Sequence, residues 1–174
     1  MQDNENKGNR QMLLKNQLEK FLAVLDSLHK ENVDYILIGG FAIVLHGASR
    51  FTEDLDIFVR TSEENISRLK KALYSVFQDE SINEISATDI KDYAVIRYGS
   101  PDDFYIDIIG NPGETFSIDS ISSRDVDVEG ITIRIATPES LYKLKEKTFR
   151  AIDRDDLIFL AEKMKREHKS DKKI

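Results

Sequence analysis

Two short apolar segments, the first ending in a pair of glycines and the second carrying a pair of aspartates, most constrain the fold of this chain. The first is YILIGG at residues 35–40, and the second is DLDI at residues 54–57, after thirteen intervening residues. Short apolar runs bounded by turn residues are typical of buried strands. We therefore expect two strands here, with a tight turn at the glycines that end the first.

Periodicity elsewhere predicts a mixture of helices and strands. Apolar residues at three- and four-residue steps predict an N-terminal helix over residues 11–31, whereas the polar residues 1–10 are expected to be a flexible tail. Further helices are predicted from a cap at residue 61 or 62 to residue 77, after the cap at residue 137, and over residues 153–167. Further strands are predicted over residues 93–98, 104–109 and 131–135, with a loop over residues 111–124.

The order of these elements predicts the fold class. No repeat and no long linker divides the chain, so residues 1–174 are expected to form a single domain. Runs of helices and strands in this order are typical of an α+β protein, with a mixed β-sheet of about four or five strands flanked by helices and a helical C-terminal part.

Composition excludes several classes of protein. The chain has no cysteine, which excludes disulfides and cysteine-ligated metals and suits the reducing cytoplasm in which we expect it. No apolar run approaches the roughly 20 residues that a membrane-spanning helix needs, so we expect no membrane partner. The net charge of −7 argues against a protein that coats nucleic acid through its overall field, and it leaves a local basic groove open.

The paired aspartates are the first candidates for a functional site. Asp54 and Asp56 are two residues apart on a predicted strand, so both side chains point to one face. Two carboxylates held side by side repel each other, and a divalent cation relieves the repulsion. Mg²⁺ prefers one or two carboxylates together with phosphate oxygens and water. The alternative is an exposed strand edge on which two acids face solvent.

A phosphate-binding turn and a third carboxylate complete the predicted site. Gly39 and Gly40 allow the backbone to turn tightly, approach a ligand closely and present N–H groups to a phosphate. Asp107 lies inside the apolar segment FYIDII at residues 104–109, where a lone acid is costly to bury unless it is paired or binds metal. Asp102 and Asp103 precede that segment in a turn, where aspartate is ordinary, so they rank lower.

These motifs resemble a known family. Residues 38–57 resemble the signature of the DNA polymerase β-type nucleotidyltransferase superfamily, and RFTED at residues 50–54 resembles its AbiEii-like branch, which includes toxins of type IV toxin–antitoxin systems and related small nucleotidyltransferases. Downstream, TPESL at residues 137–141 and Lys145 precede Arg150, Asp153 and Asp156, at offsets of five, eight and eleven from the lysine, as in that branch. The resemblance covers about residues 35–160 and implies a nucleotidyltransferase fold.

The resemblance implies a set of site residues. Asp54, Asp56 and Asp107 would be the catalytic residues and the ligands of Mg²⁺, or alternatively Mn²⁺. The residues that would bind or support the nucleotide substrate are Gly39, Gly40, Arg50, Thr52, Lys145, Asp153 and Asp156.

Several of these residues also have a structural interpretation. Arg50 fits a surface salt bridge, and Thr52 fits a turn hydroxyl. Asp153 fits the N-cap of the last predicted helix. Phe51 fits a core anchor better than a platform for a base, and His46 fits local packing better than a nucleotide contact.

The function expected from residues and resemblance together is transfer of a nucleoside monophosphate from a nucleoside triphosphate such as ATP to a hydroxyl acceptor. The acceptor would be a tRNA end, a protein side chain or a small molecule, and the chain would belong to a toxin–antitoxin system with an antitoxin-like partner. The alternative is a catalytically inactive module of the same fold that binds nucleotide or a partner. Gly40 stands where related proteins often have serine, so a side-chain contact to phosphate is missing.

Overall fold

The computed structural model describes residues 2–110, 117–146 and 151–171. The helices in this part of the chain are α1 (Gln2–Lys30), α2 (Gly39–Leu45), α3 (Glu63–Phe77), α4 (Ala87–Asp92), α5 (Pro138–Lys145) and α6 (Ala151–Asp171). The strands are β1 (Tyr35–Ile38), β2 (Asp54–Val59), β3 (Ile96–Gly99), β4 (Tyr105–Ile109), β5 (Ser123–Val128) and β6 (Ile131–Ala136). Short 3₁₀ turns cover Glu80–Glu84 and Ile118–Ser120.

The strands form one mixed sheet in the order β3-β4-β2-β1-β6-β5. β1 runs antiparallel to β2 and parallel to β6, while β4 runs parallel to β2. The hairpins β3–β4 and β5–β6 close the two ends of the sheet. Because β1 and β2 are central, the two motifs that the sequence singles out lie side by side in the middle of the molecule.

Apolar alternation explains why the central strands are buried. Leu55 and Ile57 on β2 are fully buried, as the alternation with aspartates predicts. The inner face of α1, which includes Leu25 and Leu28, packs against α3 and β6. Complete burial of a leucine or isoleucine side chain stabilises the fold by about 1.5–3 kcal/mol, so this core fixes the strand that carries the carboxylates.

Local signals at helix starts are confirmed. Ser62 caps α3 by accepting a hydrogen bond from the Asn65 backbone N–H, and Thr137 caps α5 in the same way with Ser140. Pro138 occupies the first position of α5, where its missing N–H costs nothing. Among the described residues, no helix is both long enough and apolar enough to span a membrane.

The structure also corrects several predicted elements. Within the described residues the sheet has six strands rather than four or five, because β5 lies partly in the segment predicted as a loop. β5 has the sequence SRDVDV, whose charged residues weaken the apolar pattern by which a strand is predicted. Its Val126 and Val128 are only half-buried. The helix α4 and the two 3₁₀ turns were not predicted, since none carries an extended apolar stripe.

The N-terminal helix is longer than its apolar stripe. α1 begins at Gln2 rather than at residue 11, so it runs through nearly all of the segment predicted as a flexible tail. That segment, MQDNENKGNR, contains no proline, the residue that most disfavours a helix interior. β3, in contrast, begins at Ile96 rather than at Tyr93, whose side chain is 63% exposed.

Candidate active site

The three aspartates predicted as metal ligands come from two adjacent parallel strands. β2 pairs with β4 in a register that places Asp56 opposite Asp107 and Asp54 opposite Tyr105. Residues opposite each other on neighbouring strands share a face, and so do residues two apart on one strand. All three carboxylates therefore lie on one face of the sheet, at the end where β1 runs into its two glycines.

The carboxylates are close enough to influence one another. Burial, followed by the negative charges of Asp54 and Asp107, raises the pKa of Asp56 to about 6. A hydrogen bond from the Gly40 backbone and the positive charge of Lys145 act in the opposite direction. Asp56 thus lies where negative charge accumulates, and a cation would be stabilised there.

The glycine turn packs directly against this acidic cluster. Gly39 has a φ of +68°, and a Cβ at this position would lie 1.9 Å from Asp56 Oδ2. A Cβ at Gly40 would lie 2.6 Å from Thr52 Oγ1 and 3.1 Å from Arg50 Nη2. Neither position has room for a side chain, so the missing Cβ atoms let the backbone touch the carboxylate on one side and the 50–53 loop on the other.

The loop that leads into β2 is held from several directions. Thr52 Oγ1 donates to the backbone oxygen of Asp54 at 3.2 Å and lies 3.5 Å from its carboxylate Oδ1. Gln17 Nε2, on α1, donates to the backbone oxygens of Thr52 and Glu53 at 3.1 and 3.0 Å. Arg50 forms an ion pair with Asp156 on α6. Thr52 and Gln17 therefore fix the backbone from which Asp54 projects.

A buried ion-pair cluster joins α5 and α6 beside this loop. Lys145 Nζ lies 2.5 Å from Asp153 Oδ1 and 2.9 Å from Asp156 Oδ2. Asp153 and Asp156 are only 4% and 3% exposed, so their charges depend on Lys145 and on Arg50. Asp153 lies in the first turn of α6, which begins at Ala151, and its N-cap interpretation is therefore wrong.

One further member of the downstream motif, Arg150, lies outside the described residues. In the described part of the motif, the residue spacing explains how the side chains meet. Asp153 and Asp156 are three residues apart on a helix, so both side chains face the same way and meet one lysine.

Arg97 is a site residue that sequence reasoning missed. Its Nε and Nη2 donate to the two carboxylate oxygens of Asp107, both at 2.7 Å, and Nη2 also lies 3.1 Å from Asp54 Oδ2. Counting back from the predicted turn at Asp102 and Asp103 could have found it, because Gly99 pairs with Tyr105 and Arg97 therefore pairs with Asp107. No comparable signal marks Gln17, whose contacts join distant parts of the chain.

Two other residues, His46 and Phe51, have alternative interpretations from the sequence. His46 is 4% exposed, and its Nε2 bonds the backbone oxygen of Ala136 at 2.8 Å while its Nδ1 lies 3.1 Å from Arg124 Nη2. Burial lowers the pKa of His46, in keeping with a packing role. Phe51 is 47% exposed, so its prediction as a core anchor is wrong. It lies in the short loop before β2 and is not part of the hydrophobic core.

The donor chemistry of the site fits a hard divalent cation. Asp54, Asp56 and Asp107 offer only carboxylate oxygens, which Mg²⁺ prefers, and their mutual repulsion favours a cation among them. Within the described ranges, no group of three or more His, Cys, Asp or Glu residues is placed to hold a metal ion as it stands. In this structure, the Arg97 guanidinium forms ion pairs with Asp54 and Asp107.

A mixed sheet with helices on it, and acids on adjacent strands beside a glycine turn, is the arrangement of the nucleotidyltransferase fold. A nucleotidyltransferase-like protein from Paracoccidioides brasiliensis has TM-score 0.53 and 16% identity, covering 82% of this chain and 75% of that one. A nucleotidyltransferase structure from H. pylori has TM-score 0.50 and 20% identity, covering 86% and 68%. The lincosamide antibiotic adenylyltransferase LnuA, bound to lincomycin, has TM-score 0.53 and 16% identity, covering 82% and 95%.

The family follows from the sequence itself. The model of the nucleotidyl transferase AbiEii toxin family, of type IV toxin–antitoxin systems, matches residues 20–166. The chain therefore belongs to this family, and membership places it among the nucleotidyltransferases. No curated protein sequence matches the chain.

Proposed function

We propose that this protein transfers a nucleoside monophosphate from a nucleoside triphosphate to a hydroxyl acceptor and releases pyrophosphate, with Mg²⁺ or Mn²⁺ as cofactor. The observation that carries the proposal is the register of β2 and β4, which brings Asp56 and Asp107 together beside Gly39. Three acids lie on one face, beside a glycine position that has no room for a side chain. Such an arrangement has no evident role in stability. The acids are well suited to divalent cations and polyphosphate.

Each residue of the site has a role in this proposal. Asp54, Asp56 and Asp107 hold the metal, which supplies Lewis-acid stabilisation of charge on the phosphates when it is bound. Gly39 and Gly40 leave space for backbone and phosphate to approach closely. The residues proposed to bind or support the nucleotide from the surrounding loop and helices are Arg50, Thr52, Lys145, Asp153 and Asp156.

The reaction breaks one phosphoanhydride bond and forms one phosphoester bond. The acceptor oxygen bonds to the α-phosphorus as the bond to the β-phosphate oxygen breaks, and pyrophosphate leaves. The acceptor proton passes to a carboxylate oxygen of Asp107, which acts as general base. Lys145 is well placed to offset negative charge, since it already acts electrostatically on Asp56.

The positions of Arg50 and Thr52 support a role in holding the loop before β2, in addition to direct contacts with the nucleotide. Arg50 joins the loop to the buried Lys145 cluster, and Thr52 supports the backbone of Asp54. A loop anchored at both ends keeps the carboxylates in place while a triphosphate binds. This stiffness is what a reaction that depends on positioning requires.

We propose a toxin–antitoxin role for the protein, with an antitoxin-like partner and an acceptor that is a tRNA end or a protein hydroxyl. Membership of the AbiEii toxin family, of type IV toxin–antitoxin systems, supports this role. The species that gains label in a cell extract distinguishes the two acceptor classes. Nuclease digestion would destroy a labelled tRNA, and protease digestion would destroy a labelled protein.

The test of the reaction uses nucleoside triphosphates labelled either at the α- or at the γ-phosphate, with Mg²⁺ and total cell RNA or protein. Wild type is expected to transfer the α-label and not the γ-label. Asp54→Asn and Asp56→Asn are expected to lose transfer, while Asp103→Asn, in the hairpin turn, is expected to keep it because asparagine tolerates the local φ of 56°. Equal transfer by wild type and Asp54→Asn would overturn the proposed site.

Binding without transfer would support the alternative of an inactive module. A protein that binds Mg²⁺ and triphosphate but releases no pyrophosphate with any acceptor would be such a module. If the wild type neither binds Mg²⁺ and triphosphate nor transfers the label, both the transferase and the inactive module are rejected.

A further inference from the structure

In this structure, a positively charged side chain of the protein itself binds two of the predicted metal ligands. Arg97 lies on β3, directly opposite Asp107 in the antiparallel ladder. Its guanidinium makes a two-pronged contact with Asp107 and reaches Asp54 as well, with all three donor–acceptor distances at or below 3.1 Å. A planar guanidinium matches a carboxylate in this geometry, so the contact is specific in shape as well as in charge.

We propose that Arg97 competes with a divalent cation for Asp54 and Asp107, so that the site takes up metal together with a triphosphate rather than metal alone. The inference rests on the proposed function, because it concerns how the same carboxylates are loaded. Arg97 becomes a gate on metal binding that the nucleotide opens. It is a regulating residue of the site, in addition to the carboxylates themselves.

The competition follows from the shared oxygens. A divalent ion needs carboxylate oxygens of Asp54 and Asp107 as ligands, and both residues already accept hydrogen bonds from Arg97. A metal ion that arrives alone must break these bonds and then remain beside a displaced positive charge. A metal ion that arrives with a triphosphate brings negative charge, which gives the displaced guanidinium a new partner.

The surroundings of Arg97 allow it to move. Its side chain is 55% exposed, whereas the side chain of Asp107 is 13% exposed, so the arginine lies on the solvent side of the pair. β3 is the outermost strand at its end of the sheet. The guanidinium carbon also lies 5.6 Å from the centre of the Tyr105 ring, and Tyr105 is itself partly exposed. Because Arg97 is more than half exposed, its release leaves no buried cation behind, and a metal ion in its place keeps the Asp107 carboxylate paired.

The charges that face the cluster agree with a gate of this kind. Asp56 is paired with Asp107 across the strands and is two residues from Asp54, and it accepts its own hydrogen bond from the Gly40 backbone. Lys145 acts on Asp56 from the other side but is committed to the buried Asp153 and Asp156. Of these two cations, Arg97 is the exposed one and the one bonded to the proposed ligands.

The test is a titration of the full chain with Mn²⁺, by calorimetry or by electron paramagnetic resonance, with and without a non-hydrolysable triphosphate analogue. Wild type is expected to bind Mn²⁺ at least about tenfold more tightly when the analogue is present, a coupling of ordinary size between two ligands. Arg97→Met is expected to bind Mn²⁺ alone about tenfold more tightly than wild type and to lose most of the coupling.

Controls separate the gate from other effects. Arg68→Met removes an arginine that pairs with Glu64 on α3, away from the site, and is expected to behave as wild type. Arg97→Lys keeps the charge but not the fork, and is expected to bind Mn²⁺ with intermediate affinity. It also provides a reading if Arg97→Met fails to fold.

The outcomes distinguish the gate from the proposed function. Unchanged Mn²⁺ affinity in both Arg97 variants, with binding still lost in Asp56→Asn, would overturn the gate and leave the proposed function standing. No Mn²⁺ binding by wild type even with the analogue, or binding that Asp56→Asn leaves intact, would overturn both.

Discussion

Replacing Gly39 by alanine tests why the chain carries a glycine beside its carboxylates. Gly39 has a φ of +68°, and a Cβ there would lie 1.9 Å from Asp56 Oδ2 and 2.5 Å from Asp56 Cγ. Gly130, in the β5–β6 turn, has a comparable φ of +81°, but a Cβ there would meet nothing within 4 Å. The variants Gly39→Ala and Gly130→Ala therefore separate the cost of the backbone conformation from the cost of the overlap.

The two costs differ in size. An L-residue in the left-handed region costs about 1–2 kcal/mol, and the lower entropy of the unfolded alanine chain returns about 0.4–1 kcal/mol. Gly130→Ala is therefore expected to lower the free energy of unfolding by about 1 kcal/mol. Gly39→Ala adds the displacement of a packed carboxylate, for which overpacking costs about 1–3 kcal/mol. Its total loss is expected to be about 2–4 kcal/mol.

Two assays check this expectation. Urea denaturation gives the free energies of unfolding, and thermal unfolding should show a Tm lower by about 2–4 °C per kcal/mol for a chain of this size. Transfer of the α-label should be lost in Gly39→Ala and kept in Gly130→Ala, because only the first moves Asp56. Equal destabilisation by the two variants, or wild-type transfer by Gly39→Ala, would refute the reasoning.

Three further predictions concern buried or positioning groups. Because burial lowers the pKa of His46 below its ordinary 6.5, the stability that its neutral form contributes is present above that pH and is lost as the pH falls; urea midpoints should drop on acidification less steeply in His46→Gln than in wild type. Gln17→Leu removes two hydrogen bonds to the loop before β2, each worth about 0.5–1.5 kcal/mol, and label transfer should fall, whereas Gln17 as a purely structural residue would change stability alone. Lys145→Met leaves the buried Asp153 and Asp156 without their shared lysine and should lower the free energy of unfolding by about 3–5 kcal/mol; a loss below about 1 kcal/mol would contradict the role of this lysine.

The central strands and the caps could be predicted because their causes are local. Leu55 and Ile57 alternate with aspartates, and Ser62 and Thr137 stand one residue before their helices. Asp107 was singled out from its place in an apolar strand, and its register with Asp56 then follows from the pairing of β2 and β4. Period-two patterns and N-cap chemistry act over a few residues, so one sequence contains them.

The remaining features depend on contacts between distant segments. Gln17 reaches the loop at Thr52 only because α1 packs across the sheet. β5 is stabilised by its ladder with β6, and its own charged sequence does not suggest a strand. Arg97 falls between these cases, because the hairpin register determines its partner Asp107 but a strand pattern alone treats it as a solvent-facing residue.

The central claim is that Asp54, Asp56 and Asp107 together hold a divalent cation for a nucleoside triphosphate. The most direct measurement is an anomalous difference map from crystals grown with Mn²⁺ and a non-hydrolysable triphosphate analogue. The expected map has a Mn²⁺ peak bonded to carboxylate oxygens of Asp54, Asp56 and Asp107, with the phosphates beside Gly39. Nucleotide density elsewhere on the molecule, or analogue bound with Arg97 still joined to Asp54 and Asp107 and no Mn²⁺ among the carboxylates, would contradict it.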